Sequence, residues 1–102
     1  MTQAQNAKRY DLEERTLRYA RRVNAYVRGL MKNVANIENG KQLVRSAGSV
    51  GANYIEANES LGKKDFAMRI KICRKEAKES RYWLELTEPA EGQKQERLDL
   101  IQ

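Results

Sequence analysis

No histidine occurs anywhere in the 102 residues. Its absence removes the common zinc sites, the Glu-x-x-His motifs of di-metal helical bundles, and the usual base for a nucleophilic cysteine. There is one cysteine, Cys73, so no internal disulfide can form. It stands between Ile72 and Arg74 on an apolar stripe and reads as a small buried hydrophobe. The one proline, Pro89, falls late, so no proline breaks a helix before it. No apolar run approaches the roughly 18–20 residues that span a bilayer. The amino-terminal stretch MTQAQNAKRYDLEERT has no apolar signal core. A cytoplasmic protein with no membrane association is therefore expected. Glycine-rich phosphate loops are missing as well, and no cofactor or metal is expected.

Charge is abundant. A third of the residues are ionisable and the net charge is +6. The excess is segregated. Residues 8–32 carry eight basic and three acidic side chains, and residues 62–87 carry eight and four. Residues 33–61 and 88–102 are slightly acidic. Two basic segments in a small chain suit an anionic partner. The alternative for each cation is a solvated helix face.

Periodicity predicts four helical segments. In the first, Leu12, Thr16, Tyr19, Val23, Tyr26 and Leu30 recur at four-three spacing, with Ala20, Val27, Met31 and Val34 alongside. Asp11 and Glu14 have capping-box spacing and mark its start. The Asn-rich stretch KNVANIENGK predicts a connection near 33–37 and a second helix from about 38. Leu43, Ala47, Val50, Tyr54, Ala57 and Leu61 form the apolar line of that helix. Gly62 either ends the second helix or caps a third, Asp65 suits the start of that third helix, and its line is Phe66, Ile70, Cys73, Ala77, Ser80 and Leu84. Pro89 closes it near Thr87. Leu98, Leu100 and Ile101 predict a short fourth helix that must dock on the others, since its length is marginal in water. The expected fold is all-α: an antiparallel up-down four-helix bundle with a short fourth helix. Residues 1–9 are expected to be a flexible segment and residues 10–102 a single bundle domain.

The stretch RSAGSVGANYIEANES, residues 45–60, has little bulk. A mid-helix glycine costs about 1 kcal/mol relative to alanine. Gly48 and Gly51 therefore predict close approach of a neighbouring helix. Beside the apolar line runs a polar one of Gln42, Ser46, Ser49, Asn53 and Glu56. Arg45 from the same helix, with Glu76 and Glu79 from the third, completes a predicted buried polar seam whose members satisfy each other. Its expected role is structural. Glu76 and Glu79 are also paired carboxylates of the kind used for acid–base or metal chemistry. Without histidine that reading is weak, and no catalytic residue is expected.

QLVRSAGSVGANYIEA (42–57), KKDFAMRIKICRKEAKESRYWLEL (63–86) and DLEERTLRYA (11–20) together resemble the four helix bundle protein family, also called 23S rRNA intervening-sequence proteins. The resemblance covers roughly residues 10–87. It implies an up-down bundle assembled as a homopentamer. It also implies kinship with accessory proteins of diversity-generating retroelements, which bind nucleic acid through a basic surface and bind a reverse transcriptase. Members generally have a longer fourth helix. Two functions follow as expectations. One is a non-enzymatic oligomeric scaffold that binds RNA or DNA through basic helix faces. Its candidate contacts are Arg18, Arg21, Arg22, Arg28 and Lys32 in the first segment, and Lys63, Lys64, Lys71, Arg74 and Lys78 in the third. The other is an interaction module docking a protein such as a reverse transcriptase or a ribosomal component, with Tyr10, Tyr19, Tyr26, Tyr82 and Trp83 as anchors.

Overall fold

A computed structural model describes residues 3–101, with side chains from Asp11 onward. Helices α1 (Gln3–Arg28), α2 (Val34–Asn58), α3 (Lys63–Leu86) and α4 (Lys94–Ile101) follow in order, with a short 3-10 turn, Glu91–Gln93, before the last. No strand occurs among the described residues. α2 packs against both α1 and α3, and the short α4 bridges α1 and α3 at one end. The molecule is elongated, 47 × 23 × 17 Å, as helices of 24–26 residues require.

The helix boundaries follow from local chemistry. α1 begins earlier than the capping box suggested, so Asp11 lies inside the helix and pairs with Arg15 at 3.8 Å. Of the expected flexible segment 1–9, Met1 and Thr2 lie outside the described residues, and residues 3–9 have a helical backbone. α2 starts at Val34, four residues before the predicted point. Asn33 alone caps it, its side-chain oxygen accepting from the Asn36 amide at 2.8 Å. The clustered asparagines suggested a longer turn, but Asn36 sits in the first turn of α2 and faces inward. Gly62 is the N-cap of α3, Asp65 lies in its first turn and Thr87 caps its end.

The core is concentrated at one end. Val23, Tyr26, Leu30, Leu43, Ala47, Leu84 and Leu100 form one buried cluster, with Tyr19, Val27, Trp83 and Ile101 packed on it. Polar ties close the same end. The Tyr26 and Thr87 hydroxyls lie 2.8 Å apart. Asn36 is 3% exposed and joins the two loops there. Its amide nitrogen donates to the carbonyls of Met31 and Glu88, and its oxygen accepts from the Glu88 amide. Gln93 donates to the Tyr26 carbonyl at 2.8 Å.

Toward the other end the apolar lines run out of partners. Leu12, Phe66 and Ala77 are exposed, and Leu61 is fully so. Each belongs to a predicted core line. The physical reason is the length of α4. Eight residues rise about 12 Å, whereas α3 rises about 36 Å, so the fourth edge of the bundle is covered only near Leu100.

The two glycines of α2 differ. A Cβ at Gly51 would stand 3.0 Å from Thr16 Oγ1 and 3.3 Å from its Cβ, so α1 does press on α2 there. A Cβ at Gly48 would meet nothing within 4 Å, and the expected close approach is absent at that position.

The polar seam is narrower than its sequence suggested. Ser46 and Ser80 are fully buried, and their hydroxyls lie 2.9 Å apart between α2 and α3. Glu76 is buried beside them, with Arg45 at 3.6 Å; Arg45 also lies 3.8 Å from Glu79. Ser49 and Asn53 are half-buried, and Asn53 donates to the Ser49 carbonyl one turn earlier. Gln42, Arg45 and Glu56 are exposed, and Glu79 is half-exposed, so these four are not buried members. Their long side chains reach past the helix contact, whereas the Ser46 and Ser80 hydroxyls and Glu76 lie within it. Glu56 pairs outward with Arg69.

Candidate nucleic-acid interface

Helical spacing aligns the cations of α3. Lys64, Lys71, Lys75 and Lys78 follow at steps of seven, four and three, with Arg74 between, so all lie along one side of the helix. That side faces away from α2, because Cys73, Glu76, Ser80 and Leu84 occupy the buried one. Lys71, Arg74, Lys75 and Lys78 line a single shallow depression of about 280 Å3, and all four are exposed. None makes an ion pair among the described residues. By contrast Arg69 and Arg81 of α3 are held by carboxylates: Arg69 by Glu56 and Asp65, Arg81 by Glu85. Four uncompensated cations within two turns repel one another and favour an anion. Lys75 was not among the sequence-predicted contacts. Its place one turn from Lys71 and Lys78 was the available signal.

The other candidates disperse. Lys63 lies at the start of α3, beside Leu61 and Phe66 at the thinly covered end. Arg18 and Arg21 are exposed on α1 and free of ion pairs among the described residues. Arg28 and Lys32 border a depression of about 690 Å3 at the opposite end, floored by Val27, Met31, Ile37 and Val44. Arg22 differs from the rest. Its guanidinium is bonded to Glu96 of α4, so it serves first as a tie between helices. The structure therefore brings together the α3 cations, while those of α1 spread along the length of the molecule.

The expected anchor aromatics divide. Tyr26 is buried and Tyr19 and Trp83 are half-buried. Tyr82 is exposed, with its ring edge-on to Trp83 at 5.1 Å. The side chain of Tyr10 lies outside the described residues. Burial raises the Tyr19 and Tyr26 phenols above their ordinary value, with hydrogen bonds to Ser80 and Thr87 acting the other way. Cys73 is buried, donates to the Val50 carbonyl at 3.4 Å, and has its thiol pKa raised by burial. That is the environment of an unreactive structural thiol. Glu76 and Glu79 share one guanidinium, an arrangement suited to an ion pair. No group of three or more potential metal ligands occurs among the described residues, and no helix there is long and apolar enough to cross a membrane.

Comparison with known protein families adds one finding. The family described as 23S rRNA-intervening sequence protein matches residues 8–102. The chain belongs to that family. No curated protein matched the sequence, and no solved structure matched the chain.

Proposed function

We propose that this member of the 23S rRNA-intervening sequence protein family is a non-enzymatic, oligomeric helical scaffold that binds RNA or DNA. Its contact surface is the cationic face of α3, extended by Arg18 and Arg21. The observation that carries this reading is the cluster of Lys71, Arg74, Lys75 and Lys78, exposed together and free of ion pairs among the described residues. Such a surface attracts a phosphate chain by counterion release. It carries no base readout, so the binding is insensitive to sequence. Assembly multiplies the charge offered to one nucleic acid strand. It is supported by Val34, Ile37, Val44 and Ile55, exposed aliphatic residues that share the outward face of α2. A homopentamer is the assembly implied by the resemblance, and a cytoplasmic location suits the role.

The test is an electrophoretic mobility shift with single-stranded RNA and duplex DNA at low and raised salt. Lys71→Glu/Arg74→Glu/Lys75→Glu/Lys78→Glu abolishes the shift while circular dichroism stays helical. Retention undiminished in that variant removes the basis of the reading. Reversal at Arg22 is a poor probe, because it also breaks the tie to Glu96. Multi-angle light scattering tests assembly, and a monomer at micromolar concentration contradicts it.

A second reading, a module that docks another protein, is favoured by one observation: a groove between α1 and α3, with Leu12, Tyr19, Val50 and Ala77 in its lining, is open to solvent.

A further inference from the structure

One aromatic stands in the row of α3 cations. Lys64, Lys71, Lys75, Lys78 and Tyr82 follow at steps of seven, four, three and four. Tyr82 therefore lies on the line of the lysines, across the helix from Cys73, Ser80 and Leu84. All five are exposed, Tyr82 at 57%. Phe66 is the other exposed aromatic among the described side chains, and it shares the line of Cys73. Trp83 meets the Tyr82 ring at 72°, with centroids 5.1 Å apart. Such an edge contact occupies at most one face of the tyrosine and steadies it, so a flat ligand settling on the open face costs little ordering. Two carboxylates flank the ring, Glu79 one turn before and Glu85 one turn after. Each faces a guanidinium, Glu79 that of Arg45 at 3.8 Å and Glu85 that of Arg81 at 3.3 Å. Neither presents a bare negative charge to an incoming strand.

The spacing suits one polynucleotide strand. From Lys71 through Lys75 and Lys78 to Tyr82 the steps rise about 6, 4.5 and 6 Å. That is the scale of the distance between neighbouring phosphates in an extended strand. A backbone laid along α3 meets a cation at each turn, and no cation of α3 follows Tyr82. A base of that strand then lies over the ring where the cations stop. In a duplex the base faces are covered by their neighbours, and an unpaired base offers its own.

We propose, resting on the reading that α3 binds nucleic acid, that the ligand is single-stranded RNA or DNA and that Tyr82 is the platform on which one unpaired base stacks. Lys71, Arg74, Lys75 and Lys78 hold the phosphates that lead to it. Stacking tolerates any base, because every base has a π-face. The contact therefore adds affinity and a preference for single strands without reading sequence.

The experiment uses the full chain and three fluorescein-labelled probes of about 12 nucleotides, within the site sizes usual for single-strand binders. They are a single-stranded RNA, the same strand in a duplex, and a phosphodiester strand without bases. Fluorescence anisotropy is expected to show the single-stranded RNA bound more tightly than the other two, and roughly fivefold or more above the baseless strand. Tyr82→Ala removes that advantage and leaves the affinities for the duplex and the baseless strand, and the salt dependence, unaltered. Tyr82→Trp keeps it. Tyr82→Leu retains apolar bulk against Trp83 without an aromatic face, so it loses the advantage as alanine does, and it stands in should Tyr82→Ala lose helicity. Equal affinity with and without bases, tighter binding of the duplex, or a Tyr82→Ala loss common to all three probes overturns the stacking role while the cation cluster stands. No binding of any probe by the native chain removes the reading of α3 as a nucleic-acid surface, and the stacking role with it.

Discussion

Asn36 is the residue on which the closed end of the bundle depends. It bonds the Met31 carbonyl and both the amide and the carbonyl of Glu88, from a site 3% exposed. Replacing it with alanine leaves buried backbone groups without partners. Asn36→Ala is expected to lower stability by roughly 2–4 kcal/mol in urea melts, far more than a surface substitution. The sequence did not reveal this role. Asparagine is a turn and cap residue by propensity, and its inward use is set by a loop 52 positions away. Ser46 and Ser80 were more legible, because a short hydroxyl bordering an apolar line is a usual occupant of a close helix contact. Gln42 and Glu56 follow the same spacing, but their length carries them to water. A second residue-scale consequence concerns pH. Burial raises the folded-state values of Cys73, Tyr19 and Tyr26 above 9.0, 10.0 and 10.0 respectively. The neutral forms are favoured by the fold, so their contribution is complete below those unfolded-state values and is lost as pH rises through the folded-state ones. Stability should start to fall near pH 9 and fall faster above pH 10. Cys73→Ala is expected to flatten the first part of that decline and Tyr26→Phe the second. A flat profile up to pH 11 (about one unit above the ordinary tyrosine value) contradicts the burial of these groups.

At the scale of the element, α4 matters most. Eight residues do not hold a helix in water unaided. α4 exists because Leu100 is buried, Glu96 meets Arg22, and Arg97 donates to the Thr87 carbonyl at 3.2 Å. Leu100→Ala is therefore expected to release the whole element. The cost is about 2–4 kcal/mol, and amide exchange accelerates along Lys94–Ile101 and beside Arg22 and Tyr26. Exchange confined to position 100 contradicts this. The three long helices were legible from four-three periodicity, and the stop at Thr87–Pro89 from the proline. The α2 start was misplaced because one N-cap asparagine cannot be told from its neighbours by composition. Leu61, Phe66 and Ala77 fit the periodic lines, yet they face no helix. Periodicity reports which face is apolar and not whether a partner covers it.

Over the whole molecule, the core sits at one end, the exposed cations of α3 run along one side, and an apolar groove of mixed charge lies between α1 and α3. The two basic segments were visible in the charge distribution. Which of their residues gather was not, because that depends on the carboxylates that fold back onto Arg22, Arg69 and Arg81 and leave Lys71, Arg74, Lys75 and Lys78 free among the described residues. The central claim is that these four cations hold a phosphate chain. It is tested most directly by the salt dependence of single-stranded RNA affinity, measured by fluorescence anisotropy for the native chain and for Lys71→Ala/Arg74→Ala/Lys75→Ala/Lys78→Ala. The account predicts that the slope of log affinity against log salt falls in magnitude by about 3 in the variant, with helicity unchanged. Equal slopes and equal affinities in the two chains contradict it.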